Sequence, residues 1–202
     1  ILALDIGASK VVVAEFSVAK AHALELVRYG VGALELDSDK DANPSVLITA
    51  TIQQVIRDNK LTPGPLLMTV SGQSVFPRFV KLPPVTRDKV FQIVQYEAEQ
   101  NVPFPINEVV WDYQLIEGVD GELSVMLVAV KIENIKSLTD CVVAAGMEPE
   151  VVDVAPMALY NAVRYNYPDL QGCTMVLDIG ARASDLILME DNRIFCRSIP
   201  VA

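Results

Sequence analysis

The residues best placed to do chemistry are two copies of one pentapeptide. Leu4-Asp5-Ile6-Gly7-Ala8 stands near the start of the chain and Leu177-Asp178-Ile179-Gly180-Ala181 near its end. Each lies between strand-like runs, Ile1–Leu4 and Val11–Phe16, then Met175–Leu177 and Leu186–Glu190. Each copy therefore reads as strand, tight Asp-x-Gly turn, strand. Glycine lets a backbone approach a ligand closely, and successive N–H groups form an anion-binding concavity. An Asp at the strand end can hold Mg2+, usually through water, because Mg2+ dehydrates reluctantly. Two facing turns would grip a phosphate chain from both sides. One such turn alone reads most simply as a glycine hairpin; its return in the same setting points to a duplicated domain.

The elements around these turns follow from pattern. The first section reads β-β-β-α-β: strands at Ile1–Asp5, Lys10–Ser17 and His22–Leu34, then a polar loop, Asp37–Ala42. A helix follows from Pro44 to about Asn59, with Val46, Ile52, Val55 and Ile56 as its apolar face. Thr62-Pro63-Gly64-Pro65 stops it, and Leu66–Val70 reads as a buried central strand. The next section reads β-α-β-β-α. It runs from an extended Ser74–Leu82 through a helix at Arg87–Asn101, capped by Thr86, with the stripe Val90, Phe91, Val94, Ala98. A hairpin, Val109–Ile116 with Leu123–Val130, turns across Glu117–Gly121, and a helix at Glu133–Ala145, with Ile135, Leu138, Val142 and Ala145 inward, ends at Gly146. Then come a strand at Glu150–Val154, a helix at Met157–Tyr165, a linker at Pro168–Gly172, and strands at Cys173–Leu177, Ser184–Glu190 and Arg193–Val201. The closing β-β-β repeats the opening one, and its last strand is left uncovered. The chain is therefore expected to continue beyond Ala202, and to lack its true N-terminus, since it begins at Ile1 inside a strand.

Composition narrows the function classes. A chain of 202 residues that is 51% hydrophobic can bury a real core. With 16 basic and 26 acidic residues its net charge is −10, which argues against a nucleic-acid or anionic-membrane surface. Apolar runs such as Leu123–Val130 are too short to span a bilayer, and no signal peptide is visible. Cys141, Cys173 and Cys196 are far apart and odd in number, and read as buried reduced thiols. His22, the single histidine, reads as a surface turn residue, and Trp111, alternating with Tyr113 and Leu115, as core.

Duplicated β-β-β-α-β-α halves with paired Asp-x-Gly hairpins resemble the actin-like (ribonuclease H-like) ATPase architecture. Three further stretches are similar to the PilM family of type IV pilus assembly proteins: Val70-Ser71-Gly72 through Phe79-Val80-Lys81-Leu82-Pro83-Pro84, Tyr96–Pro105, and Val152–Leu159. The resemblance covers essentially the whole chain. It implies an α/β fold with residues 1–73 and 146–170 as the first subdomain, 74–145 as an inserted β-α-β-β-α subdomain, and 171–202 as the start of the second half. It implies ATP with Mg2+ as cofactors, held by Asp5, Gly7, Ala8, Ser9 and Lys10 in the first turn and by Asp178, Gly180, Ala181 and Ser184 in the second, with Asp5 and Asp178 as the metal carboxylates. A basic residue often stands in the family where this chain has Val12; Lys10 shares its strand face. The family often has Glu directly after Val-Asp-Val, where this chain has Ala155, so ATP binding with weak hydrolysis is expected.

The function implied is a cytoplasmic adaptor of the inner-membrane pilus platform. It would bind the N-terminal tail of a PilN-like membrane protein and sit at the membrane through that partner, without inserting and without nucleic acid; self-association is left open. The peptide groove is expected between the first subdomain and the insertion, with Phe76, Arg78 and Phe79 in its wall. The alternatives are a membrane-tethered actin homologue of the FtsA class, a sugar-kinase-type phosphotransferase, and the cytoplasmic domain of a type II secretion platform protein.

Overall fold

The computed structural model describes residues 1–19, 23–34, 43–83, 87–117, 123–190 and 193–200. His22, the Asp37–Ala42 loop, the Thr86 cap and the turn at 118–121 lie outside the described residues.

The opening strands β1 (Leu2–Ile6), β2 (Lys10–Val18) and β3 (Leu24–Ala33) form an antiparallel meander. Helix α1 (Pro44–Asp58) carries the chain across to β4 (Leu66–Val70), which pairs parallel to β1. The strand β8 (Pro149–Val154) returns parallel to β4 and completes a five-stranded sheet ordered β3-β2-β1-β4-β8. Alternation sends Leu2, Leu4, Val11, Val13, Leu66 and Met68 to one face, where they meet Ile48, Ile52 and Val55 of α1. The helix face differs by one step from the sequence reading. Val46 is exposed and Ile48 is inside, because the spacing Ile48, Ile52, Val55 keeps one stripe on the sheet. Asn43 caps α1 by accepting from the Ser45 amide at 3.0 Å.

Between β4 and β8 the chain builds a second unit. A short 3-10 turn, Gly72–Ser74, leads into β5 (Val75–Lys81), helix α2 (Arg87–Asn101), β6 (Val109–Glu117) and β7 (Leu123–Lys131). The strands form an antiparallel sheet ordered β5-β7-β6. Val90, Val94 and Ala98 of α2 bury against Val125, Leu127 and Ala129. Trp111, Tyr113 and Leu115 pack against this core as expected. Phe91, expected in the helix stripe, is exposed but stacks on Trp111 with ring centroids 5.9 Å apart.

Helix α3 (Ile132–Ala144) changes the domain picture drawn from sequence. It follows β7, yet its Cys141 and Val142 bury in the core of the five-stranded sheet, beside α1. The packed inserted unit is therefore β-α-β-β, and α3 is the crossover that brings the chain back to the first core. It ends as read, with Gly146 in the left-handed region (φ +88°), where a side chain would be strained.

Helix α4 (Ala155–Asn166) follows β8 directly. The last strands, β9 (Thr174–Ile179), β10 (Ser184–Glu190) and β11 (Arg193–Ile199), form an antiparallel sheet ordered β11-β10-β9. β10 lies against α4, and β11 against the Gly72–Ser74 turn. Of the three free cysteines, Cys141 and Cys196 are buried as expected and Cys173 is exposed, because it precedes β9 at the end of the linker.

Candidate functional site

The two Asp-x-Gly turns share one register and one closing hydrogen bond. Ile6 faces Val11 across the first hairpin and Ile179 faces Ser184 across the second. In both, the glycine N–H donates to the carbonyl three residues on: Gly7 to Lys10 at 2.9 Å, and Gly180 to Ala183 at 2.9 Å. Neither glycine adopts a left-handed φ. Glycine is needed for a steric reason, since a Cβ at Gly180 would lie 2.7 Å from the Ala183 carbonyl oxygen. Ser9 ties the first turn to the sheet, its carbonyl accepting from the Leu34 amide at 2.8 Å.

Register places polar side chains in one row. Asp5 faces Thr69, and Thr69 faces Asp153, across three adjacent parallel strands. The Thr69 hydroxyl donates to Asp5 Oδ1 at 3.0 Å. Lys10 is exposed and shares the Asp5 side of the sheet, as its parity requires. In the second hairpin Asp178 faces Asp185, and Asp185 faces Ser198.

Asp185 was not among the expected site residues. It stands as many residues after Asp178 as Val12 does after Asp5, so comparing the two hairpins residue by residue would have found it. Its carboxyl is half-buried against Gly72, where any Cβ would collide with it. Burial pushes its pKa up, the Ser198 hydroxyl offsets part of this, and the neighbouring Asp178 charge adds to the rise. The hydroxyl is near but closes no hydrogen bond: Asp185 Oδ1 and Ser198 Oγ are both buried without a hydrogen-bond partner. The contact with Gly72 joins the second hairpin to the segment following β4. Ser184, by contrast, pairs with Ile179 and so lies on the opposite face of β10 from Asp178.

Among the described residues no three His, Cys, Asp or Glu side chains come together as a metal cage. A divalent cation here would take one or two carboxylates and complete its shell with water and phosphate, which is how Mg2+ is usually held. Exposed Asp5 and Asp178 suit that role.

A second feature is a groove of about 730 Å³ between the inserted unit and the first subdomain. One wall is the β6 segment Asp112–Ile116 with Met126 and Val128 of β7; the other is Val152–Val154 with Met157 and Tyr160 of α4. The expected wall residues fall elsewhere. Phe76 faces Ala129 and Arg78 faces Leu127, so both lie on the α2 side of the inserted sheet, where Phe76 packs into its core. Phe79 faces Met126 and so shares the groove side, although it does not line the cavity.

A family model described as type IV pilus assembly protein PilM matches residues 3–200. The chain belongs to the PilM family. A solved structure described as a PilM–PilN type IV pilus biogenesis complex superposes with a TM-score of 0.79 at 25% identity, covering 98% of this chain and 61% of that one. The chain thus spans about 61% of the length of that relative. The cytoplasmic domain of EpsL, an inner-membrane component of the Vibrio cholerae type II secretion system, matches with a TM-score of 0.61 at 10% identity, over 97% of this chain and 70% of that one. A Bacteroides thetaiotaomicron protein described as having an actin-like ATPase fold and unknown function matches at 0.50 and 10% identity, over 98% and 69%. At that identity the last two speak to fold alone. The fold is actin-like, as the hairpin repeat implied.

Proposed function

We propose that this PilM-family chain is the nucleotide-binding part of a cytoplasmic adaptor in the type IV pilus inner-membrane platform. It binds ATP with Mg2+ between its two hairpins and the N-terminal tail of a PilN-like membrane protein in the groove. The observation that carries the first half is the identical register of the two Asp-x-Gly turns, each closed by the same glycine hydrogen bond. Asp5 and Asp178 would hold the cation through water, with Ala8, Ser9 and Lys10 at one turn and Ala181 at the other beside the phosphates. When bound, the metal would neutralise phosphate charge; the chain's own part is to present amides and carboxylates in fixed positions.

The partner half is supported by the groove between two units and by the similarity to a structure described as a PilM–PilN complex. Among the described residues no helix is long and apolar enough to cross a membrane, which suits attachment through a partner. The match to a pilus family model over residues 3–200 favours this role over the secretion-platform and filament alternatives.

The test uses the full-length protein. Asp178→Ala should remove Mg2+-dependent ATP affinity in calorimetry, and Gly180→Val should block phosphate approach. Unchanged affinity in both variants sinks the nucleotide reading. A fluorescein-labelled tail peptide should bind with saturable anisotropy, and the absence of any binding sinks the adaptor reading.

A further inference from the structure

The groove is bounded by two edge strands. β6 is the edge of the inserted sheet and β8 the edge of the five-stranded sheet. An edge strand offers backbone groups that no neighbour pairs, a template for an added strand. β6 contributes five consecutive residues to the groove, Asp112 to Ile116, whereas β8 contributes three. The longer free edge therefore belongs to β6.

Each of these edges carries one aspartate into the groove, Asp112 on β6 and Asp153 on β8. The two side chains do the same thing. Asp112 Oδ1 accepts from the Tyr113 amide at 2.8 Å, and Asp153 Oδ1 from the Val154 amide at 2.7 Å. Neither forms an ion pair among the described residues, and no Lys, Arg or His lines the groove. Each carboxylate thus covers an amide of its own strand and keeps its second oxygen available. The rest of the lining mixes apolar Ile116, Met126 and Val128, on the same sheet face as Asp112, with polar Gln114 and Asn161.

We propose that the occupant of this groove is an extended peptide that pairs with β6 and places a Lys or Arg side chain between Asp112 and Asp153, with apolar side chains on either side of it. This rests on the adaptor reading above and adds the chemistry by which the tail is chosen. Charge complementarity favours a cation, because both groove edges present a carboxylate and the lining among the described residues holds no Lys, Arg or His. Arg suits the site better than Lys, since its planar fork donates to carboxylates in pairs. The chain's net charge of −10 steers a basic segment toward it from a distance.

The experiment measures anisotropy of the labelled N-terminal tail peptide of the PilN-like partner with full-length protein, at low and high salt. Asp112→Asn and Asp153→Asn keep the acceptor for the following amide, so the fold is retained. Each should weaken binding by about tenfold, the size of one charge-assisted hydrogen bond, and flatten the salt dependence. A peptide with its Lys and Arg residues replaced by Gln should bind weakly to the wild-type protein and lose nothing further on the double variant. Equal binding of the native tail to wild-type and double-variant protein overturns this inference and leaves the adaptor reading standing. Full affinity of a tail without Lys or Arg overturns it in the same way. A tail that does not bind wild-type protein at all overturns both.

Discussion

The two hairpin glycines should respond differently to alanine. A Cβ on Gly180 would lie 2.7 Å from the Ala183 carbonyl oxygen, whereas one on Gly7 would lie 3.2 Å from that of Lys10. Optimal non-bonded separations are about 3.5–4.0 Å between carbons, so the first contact is well inside the repulsive wall. The obstacle in each case is backbone, and it is the same carbonyl that accepts the glycine's own N–H at 2.9 Å. Relieving the clash at Gly180 therefore stretches that hydrogen bond, worth about 0.5–1.5 kcal/mol net, on top of about 1–3 kcal/mol of packing strain. Against this, Gly→Ala stiffens the unfolded chain and returns about 0.4–1 kcal/mol. Gly180→Ala should therefore destabilise by about 1–3 kcal/mol, while Gly7→Ala should stay within about 0.5 kcal/mol of wild type. For a chain of this size each kcal/mol moves Tm by about 2–4 °C. Thermal unfolding of both variants, with hydrogen exchange at residue 180 to localise the loss, measures this. Equal Tm shifts in the two variants would refute the steric account of why each turn holds glycine.

Three further outcomes follow from other parts of the molecule. Asp185 has a raised folded-state pKa, so its stabilising contribution is present at acid pH and is lost as pH rises through that pKa; Asp185→Asn should raise Tm at neutral pH and shrink the gain on acidification, which a Tm series from pH 4 to 8 would detect. Steady-state ATP hydrolysis by the full-length protein should stay below about 1 s⁻¹, because Ala155, the first residue of α4, offers no side chain to orient a water; a faster rate in a phosphate-release assay means that another residue does so. Leu127→Ala should cost about 2–5 kcal/mol in urea unfolding, because Leu127 is fully buried between the inserted sheet and α2, and a cost under about 1 kcal/mol would mean that this core can collapse around the gap.

What was legible in the sequence was what short-range chemistry controls. β4 and α2 appear with the bounds read from the chain, because proline, glycine and a clear period mark their ends. Both hairpins were readable for the same reason: a tight turn is written in four or five adjacent residues. The β6–β7 hairpin was readable too, but the full strand order was not. Nothing local says that β5 takes the other side of β7, and that order leaves β6 as the edge on the groove. The partner wall was expected on the extended Ser74–Leu82 segment, whereas the cross-strand register turns its Phe76 and Arg78 toward α2. The place of α3 was hidden likewise, since its inward residues suit either core and only the fold shows that they meet α1.

The duplicated hairpins also show what a repeat preserves. The backbone pairing is kept in both copies, each closed by the glycine N–H to the carbonyl three residues on, although a Cβ would clash outright only at Gly180. The side chains across from the Asp are free of that constraint, and they differ. In the first copy Asp5 faces apolar Val12 on one side and accepts from the Thr69 hydroxyl on the other. In the second, Asp178 faces another carboxylate, Asp185, whose buried oxygen has no donor. The same turn is thus electrostatically settled in one half and strained in the other. Like charges on adjacent strands favour either a proton or a cation between them. On the proposed reading, the second turn, not the first, is therefore where a divalent cation would relieve the larger local repulsion, and of the two matched carboxylate removals, Asp178→Ala should cost more Mg2+-dependent affinity than Asp5→Ala.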